Sequence, residues 1–168
     1  RNFLQGGCIM AGRALVAKDI MTKTLIAAKK EATGRHLAEK MLSGLFSGMP
    51  VVDENNRLVG VVSEFDLIKA MDCGKPLDQV TADEIMTKKP ISVSEDTRVE
   101  DIIHIMTKQN VMRVPVVKND IPIGIVSRCD ILKCVYGVLK PEFIKISSER
   151  GAVEFFTEIP SSEKETHS

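Results

Sequence analysis

A duplicated motif constrains this 168-residue chain more than any other feature of its sequence. Asp19-Ile20-Met21-Thr22-Lys23 returns as Glu84-Ile85-Met86-Thr87-Lys88, a displacement of 65 positions. Pro50-Val51-Val52 and Pro115-Val116-Val117 keep that displacement of 65 about thirty residues farther on. Similarity at a fixed spacing is typical of repeated structural units. The chain is therefore predicted to fold as two copies of one unit.

The two copies end in a second shared motif. Gly60-Val61-Val62-Ser63-x-x-Asp66 corresponds to Gly124-Ile125-Val126-Ser127-x-x-Asp130, where the displacement falls to 64. The lost residue lies in the polar stretch between two apolar runs, where a turn tolerates such a change. Each copy is therefore predicted to contain a β-hairpin, formed by residues 49–52 with 58–62 and by residues 114–117 with 121–126.

Helices are predicted on both sides of each hairpin. Apolar residues recur at three- and four-residue spacing over residues 37–45 and again over 99–106, which is typical of one helix face. Thr97 and Glu100 have the spacing of a capping box, so the second of these helices is predicted to begin there, with Thr33 as the equivalent cap in the first copy.

A further helix follows each hairpin, over about residues 63–70 and 127–135. The repeating unit is thus strand, helix, strand, strand, helix. The predicted fold class is α/β (α+β).

The overall charge and the cysteines exclude several classes of function. The 23 Lys and Arg residues equal the 23 Asp and Glu residues, so neither nucleic acid nor a membrane is an expected partner. No apolar run approaches the roughly 20 residues that span a bilayer. The four cysteines form no Cys-x-x-Cys pair and have no histidine at metal-ligand spacing, which predicts reduced thiols in a soluble cytoplasmic protein without a metal.

Catalytic motifs are also missing from the sequence. His36 and His104 have no Ser, Cys or Asp at triad spacing, and no Gly-rich phosphate loop of the Walker type is present. These observations predict a protein that is not an enzyme.

The repeats divide the chain into segments. Residues 1–15 are an N-terminal extension, of which the first nine are a candidate cloning remnant because Met10 resembles a natural initiator. The further predicted segments are repeat 1 (16–72), a linker (73–80), repeat 2 (81–136) and a C-terminal tail (137–168). The tail is either disordered or an arm anchored by Phe155-Phe156.

The chain resembles tandem cystathionine-β-synthase (CBS) domain pairs, or Bateman modules, in three motifs that each occur twice: Asp-Ile-Met-Thr or its variant, Pro-Val-Val, and Gly-apolar-Val-Ser-x-x-Asp. The resemblance covers roughly residues 16–135. It implies two repeats packed sheet to sheet with pseudo-twofold symmetry, and association into a homodimer.

The resemblance also implies two clefts between the repeats, each able to hold an adenosine-containing ligand. Ser63 with Asp66, and Ser127 with Asp130, fall on the first turn of a helix, where the carboxylate can accept both ribose hydroxyls. The alternative is that each pair is only a helix cap. The helix N-terminus itself suits a phosphate.

The second cleft is favoured over the first. In similar proteins the position of Arg128 can reach a phosphate, whereas the first copy has Glu64 there, which would repel one. Arg128 and Asp130 are therefore expected to serve one cleft.

The adenine ring is expected to lie against apolar walls, with its edge at backbone groups near Met112-Arg113-Val114-Pro115. The expected walls in the second copy are Ile91 and Val126. In the first copy Met49 lies in the corresponding stretch, flanked by Ile26 and Val62. Arg113 adds a basic side chain there, or is only a solvated strand-end residue.

These residues predict a non-enzymatic regulatory module that binds AMP, ADP or ATP. The nucleotide would be a regulatory ligand, with no cofactor required, and a regulated protein partner is possible. The alternatives are a structural dimerisation module with vestigial clefts, and a sensor of NAD or S-adenosylmethionine.

Overall fold

A computed structural model describes residues 9–10, 13–136, 143–146 and 153–156. In chain order the elements are β1 (Ile9–Met10), β2 (Arg13–Ala14), α1 (Ala17–Ile20), β3 (Ala28–Lys29), α2 (Gly34–Gly44), β4 (Gly48–Val52), β5 (Leu58–Ser63), α3 (Glu64–Asp72), α4 (Ala82–Ile85), β6 (Thr87–Lys88), β7 (Val93–Ser94), α5 (Val99–Lys108), β8 (Arg113–Lys118), β9 (Ile121–Ser127), α6 (Arg128–Tyr136), β10 (Phe143–Ile146) and β11 (Val153–Phe156).

Each repeat forms a mixed β-sheet. The strand orders are β3-β4-β5-β6 and β7-β8-β9. In both sheets the short first strand runs parallel to the second, and the second and third strands form an antiparallel hairpin. The predicted α/β class and both predicted hairpins are therefore confirmed.

The two repeats exchange the segment that precedes their first long helix. Thr87 of β6 comes from the second repeat but pairs with Val61 in the sheet of the first. Its counterpart Thr22 pairs with Ile125 of the second repeat, through N–H···O bonds of 2.9 and 3.1 Å. Each copy thus contributes an edge to the other copy's sheet.

The hydrophobic cores show the same exchange. Leu15, at the end of the N-terminal extension, and Ala17 of the first repeat lie in the core built by α5, β8 and β9. Ala82 and Met86 of the second repeat lie in the core built by α2, β4 and β5. The packing units therefore differ from the sequence repeats, and the two halves are tied together by their own cores.

The two long helices before the hairpins begin differently. Thr33 caps α2, since its hydroxyl accepts the N–H of His36 at 3.3 Å, as predicted. The prediction that Thr97 caps α5 is wrong. The cap position is Arg98, which makes no side-chain cap bond, while the Thr97 hydroxyl accepts the N–H of Ser94 at 3.1 Å. At the displacement of 65, Arg98 and not Thr97 is the counterpart of Thr33.

The C-terminal region contains a separate two-stranded element. β10 and β11 pair antiparallel, with Phe143 opposite Phe156 and Ile144 opposite Phe155. The rest of the tail and the first eight residues lie outside the described part of the chain, so the interpretation of residues 1–9 and the choice between arm and disorder for residues 157–168 stay predictions.

Candidate functional site

A cleft of about 750 Å³ lies between the two repeats. The first repeat contributes the exchanged segment after α1, the end of α2 and the start of α3, and the second repeat contributes β9 and the first turns of α6. The lining residues are Thr22, Thr24, Leu25, Ile26, Met41, Leu42, Gly44, Leu45, Phe46, Ser47, Gly48, Glu64, Arg113, Ile125, Ser127, Cys129, Asp130 and Lys133. We call this the Asp130 cleft.

Asp130 presents one free oxygen to this cleft. Its Oδ2 atom accepts the N–H of Ser127 at 2.8 Å and the Ser127 hydroxyl at 2.7 Å, which fixes the carboxylate at the start of α6. No hydrogen bond to Oδ1 is present in the part of the chain that the structure describes. A carboxylate held through one oxygen offers the other to a ligand hydroxyl.

Ser63 and Asp66 repeat this local geometry in the first copy. Asp66 Oδ2 accepts the Ser63 N–H at 2.8 Å and the Ser63 hydroxyl at 2.7 Å. Both serines are helix caps, as the simpler interpretation of the sequence requires, but this role occupies only one oxygen of each carboxylate. Neither Ser63 nor Asp66 lines the Asp130 cleft.

Arg113 crosses from the second repeat toward the first. Its Nη2 atom donates to the Ser47 hydroxyl. A Cβ atom at Gly48 would lie 2.6 Å from Arg113 Nη1, so the glycine leaves space for the guanidinium. Burial lowers the pKa of Arg113 from its ordinary value, and the Glu64 carboxylate opposes that shift. Arg113 is thus a partly buried residue of the cleft rather than a solvated strand end.

Arg128 does not share this cleft, and the prediction that it serves one cleft with Asp130 is wrong. Its Nε donates to the Val111 carbonyl and its Nη2 to Asn110 Oδ1, both at 3.1 Å. It lines a separate cavity of about 500 Å³, with Ile103, Met106, Thr107, Asn110, Ile131 and Leu132. The reason is helical geometry, since residues two apart on a helix point in nearly opposite directions.

The predicted wall residues have different outcomes. Val126 is fully buried in the core, and Ile91 is at the surface, outside the lining of the Asp130 cleft. Ile26, the wall expected in the first copy, does line this cleft, where Leu25 and Ile125 are among the further apolar residues. The side chains of Val114, Pro115 and Met49 are buried, so these residues could meet an adenine edge only through backbone groups.

Leu25 and Lys133 are cleft residues that sequence reasoning missed. The exchange of residues 15–22 brings the segment that follows in the first repeat against Asp130 of the second. No local feature of the sequence signals this crossing, because the residues that pair across it are about a hundred positions apart.

Metal binding and membrane insertion have no support in the described residues. No group of three or more His, Cys, Asp and Glu side chains there is placed to hold a metal ion. No described helix has the length and apolar character that crossing a bilayer requires.

The repeat architecture matches a known family. The profile described as CBS domain matches residues 17–72 and 82–137. The uncharacterized protein YlbB of Bacillus subtilis is 37% identical over 116 residues, which cover 68% of this chain and 78% of YlbB.

Solved structures with bound ligands are similar as well. The CBS domain pair of protein MJ0100, in complex with 5′-methylthioadenosine and S-adenosyl-L-methionine, superposes with a TM-score of 0.67 at 32% identity, covering 72% of this chain and 95% of that one. CBSX2 in complex with AMP gives 0.62 at 27% identity, covering 70% and 93%.

Some other curated relatives are much longer, and the chain spans 19% of one and 63% of another. Their similarity to this chain therefore concerns the repeat region rather than the whole relative. Because the family profile matches both halves, and both halves share one architecture, the chain belongs to the CBS domain family and is a tandem CBS domain pair, or Bateman module.

Proposed function

We propose that the chain is a non-enzymatic regulatory module that binds an adenosine-containing ligand, foremost AMP, ADP or ATP, in the clefts between its CBS domains. The observation that carries this proposal is the Asp130 carboxylate, which is anchored through Oδ2 and has Oδ1 free in a cleft of about 750 Å³. Clefts of roughly 300–1,000 Å³ are typical of small-molecule sites.

The chemistry of the cleft suits a nucleoside. A carboxylate oxygen accepts hydrogen bonds from the vicinal hydroxyls of a ribose. Leu25, Ile26 and Ile125 supply apolar surface for a purine ring. The ligands recorded for two relatives, AMP in one and 5′-methylthioadenosine with S-adenosyl-L-methionine in the other, share the adenosine group.

A regulatory role follows from the origin of the lining residues. Asp130 belongs to the second repeat, and Leu25 and Ile26 belong to the first. A ligand that contacts both repeats favours the arrangement in which both contacts are made. A partner protein or a second subunit can then bind the arrangement of the repeats that the ligand favours.

Isothermal titration calorimetry with AMP, ADP, ATP, NAD and S-adenosylmethionine tests the proposal. We expect binding of at least one of them, and a loss of roughly tenfold to a hundredfold in affinity at one site in Asp130→Asn, because hydrogen bonds to a charged acceptor are lost. Asparagine still accepts the Ser127 N–H, so the helix cap is retained.

Asp101→Asn is the matched control, because Asp101 is exposed on α5 and lines neither cavity described above. It should bind as the parent chain does. Absence of heat with all five ligands, or titrations unchanged by both Asp130→Asn and Asp66→Asn, would refute the proposal. Heat with NAD or S-adenosylmethionine alone would select the alternative sensor.

A second candidate function, a structural dimerisation module, is favoured by a different observation. The helices that follow the hairpins expose large apolar side chains: Phe65 is 71%, Ile68 61% and Met71 58% exposed on α3, and Leu132 is 59% exposed on α6. Apolar faces of this kind mark protein contacts. The two functions are compatible, because the Asp130 carboxylate lies inside the cleft whereas these apolar side chains are exposed at the surface.

A further inference from the structure

Pseudo-twofold symmetry relates the contacts between the repeats. The backbone pairing of Val16 with Arg98 becomes, at the displacement of 65, the pairing of Thr81 with Thr33, and both are present. The pairing of Thr22 with Ile125 likewise becomes that of Thr87 with Val61. A residue that lines one cleft therefore has a counterpart at the opposite cleft.

This symmetry assigns charged side chains to a second cleft. Glu64 lines the Asp130 cleft from the opposite repeat. Its counterpart is Arg128, and the counterpart of Asp130 is Asp66. The symmetry therefore assigns Arg128 and Asp66 to one second cleft, which we call the Asp66 cleft.

The cavity that contains Arg128 supports this assignment independently. Met106, Thr107 and Asn110 line it together with Arg128. Their counterparts are Met41, Leu42 and Leu45, and these line the Asp130 cleft together with Glu64. Equivalent positions thus surround a carboxylate in one repeat and a guanidinium in the other, and Thr107 and Asn110 make the surroundings of the guanidinium more polar.

The two clefts consequently differ in charge. In the Asp130 cleft the carboxylates of Glu64 and Asp130 balance the cations of Arg113 and Lys133. Arg113 already donates to Ser47 and shares its surroundings with Glu64.

In the Asp66 cleft the counterparts of Glu64, Lys133 and Thr24 are Arg128, Lys69 and Lys89, so cations outnumber the single carboxylate of Asp66. A phosphate is attracted by that set. Arg128 donates through Nε and Nη2 to Val111 and Asn110, and its remaining N–H groups can form charge-assisted hydrogen bonds to a phosphate.

We propose that the two clefts sort adenosine ligands by the charge of the 5′ substituent. The Asp66 cleft, with Arg128, takes ligands with a 5′-phosphate, and the Asp130 cleft, with Glu64, takes ligands whose 5′ substituent is uncharged or cationic. This inference rests on the proposed function, since it assumes that ribose binds at both aspartates. It reverses the expectation from sequence that a phosphate accompanies Asp130.

Calorimetry with two matched probes tests the sorting: AMP, which carries a 5′-phosphate, and 5′-methylthioadenosine, which is uncharged there. In the parent chain each probe should occupy one site. Asp66→Asn should weaken AMP roughly tenfold to a hundredfold and leave methylthioadenosine unchanged, and Asp130→Asn should do the reverse. Asp101→Asn, exposed on α5, should change neither titration.

Arg128 and Glu64 are the two residues proposed to sort the ligands, and substituting them tests whether their charge decides which ligand binds in each cleft. Arg128→Gln should weaken AMP roughly tenfold or more without changing methylthioadenosine, because only AMP carries charge at that point. Glu64→Gln should open the Asp130 cleft to AMP, so that the AMP stoichiometry rises toward two. Arg35→Gln, an exposed arginine on α2 that lines neither cavity, is the control.

The outcomes distinguish the sorting from the underlying function. Loss of AMP with Asp130→Asn instead of Asp66→Asn, or an unchanged AMP affinity in Arg128→Gln, would overturn the sorting while adenosine binding stands. Binding of neither probe by the parent chain would remove the proposed function, and the sorting with it.

Discussion

At the scale of single residues, two glycines hold space for methionines from the other repeat. A Cβ atom at Gly124 would lie 2.5 Å from Met21 Sδ and 3.0 Å from the Thr22 carbonyl oxygen. At Gly60 it would clash with Met86 Sδ. The glycine that opens each closing motif is thus required by contact with the exchanged segment, which no local feature of the hairpin explains.

Gly124→Ala should lower the free energy of unfolding by about 1–3 kcal/mol, because the added methyl group forces a partly buried side chain to move. Urea denaturation of the single and double variants measures it. In a Met21→Ala background the cost of Gly124→Ala should shrink, since contacting residues are coupled.

Gly60→Ala is the matched control for that coupling. Its clash is with Met86, so Met21→Ala should leave its cost unchanged and Met86→Ala should reduce it. Equal relief of both glycine variants by Met21→Ala would contradict the exchange of segments.

The residue-level predictions from sequence succeeded where the interaction is local. Ser127 and Asp130 are three apart on one helix turn, so their hydrogen bonds follow from spacing alone. The prediction for Arg128 failed because the cleft that this side chain enters depends on the opposite repeat and on the direction in which the first residue of α6 points. Sequence spacing carries no information about which repeat faces which.

At the scale of elements, the hairpins were predictable because a polar turn between two apolar runs determines them locally. The start of α5 was misplaced by one residue, since Thr97 and Glu100 have capping spacing but the Thr97 hydroxyl accepts the Ser94 N–H. The pairing of Thr22 with Ile125 was not predictable, because about a hundred residues separate them and neither belongs to a long strand.

The exchange of segments makes a distinctive prediction for Leu15. This side chain is 7% exposed and lies in the core of the second repeat. Leu15→Ala should cost about 2–4 kcal/mol through the lost burial and the cavity that remains. Native-state hydrogen exchange should then show the larger loss of protection in β8 and β9 rather than in β4 and β5.

Val80 provides the reciprocal control, because it is the counterpart of Leu15 and a Cβ at Gly34 of the first repeat would lie 2.9 Å from its Cγ2. Val80→Ala should reduce protection mainly in the first repeat. If Leu15→Ala affected both hairpins equally, the second core would not depend on the exchanged segment.

At the scale of the whole molecule, the exchanged edges and cores join the two repeats into one body with an internal near-symmetry. The two repeats share one backbone arrangement but differ in charge at equivalent positions. Glu64 of the first repeat corresponds to Arg128 of the second, and Gly48 corresponds to Arg113. Under the proposed function, duplication supplies two similar ribose positions, and single substitutions make their surroundings different. A ligand in the Asp130 cleft would contact both repeats.

We predict that the chain assembles through apolar surface that its own fold leaves uncovered. Ile68 and Leu132 are counterparts on α3 and α6 and are about 60% exposed. Burying a side chain of this size contributes roughly 1.5–3 kcal/mol, so these helix faces favour a homodimer. Ile68→Asp should therefore produce a monomer, because an unpaired carboxylate in an apolar interface is costly.

Light scattering after size-exclusion chromatography should report a dimer for the parent chain and a monomer for Ile68→Asp. His36→Asp, at an exposed position in the first turn of α2 where an acid suits the helix dipole, should stay dimeric. A monomeric parent chain, or a dimeric Ile68→Asp, would exclude these faces. Titrating the monomer with 5′-methylthioadenosine, the probe expected at the Asp130 cleft, then separates the two candidate functions, because that cleft lies between repeats of one chain and binding there does not require a second copy.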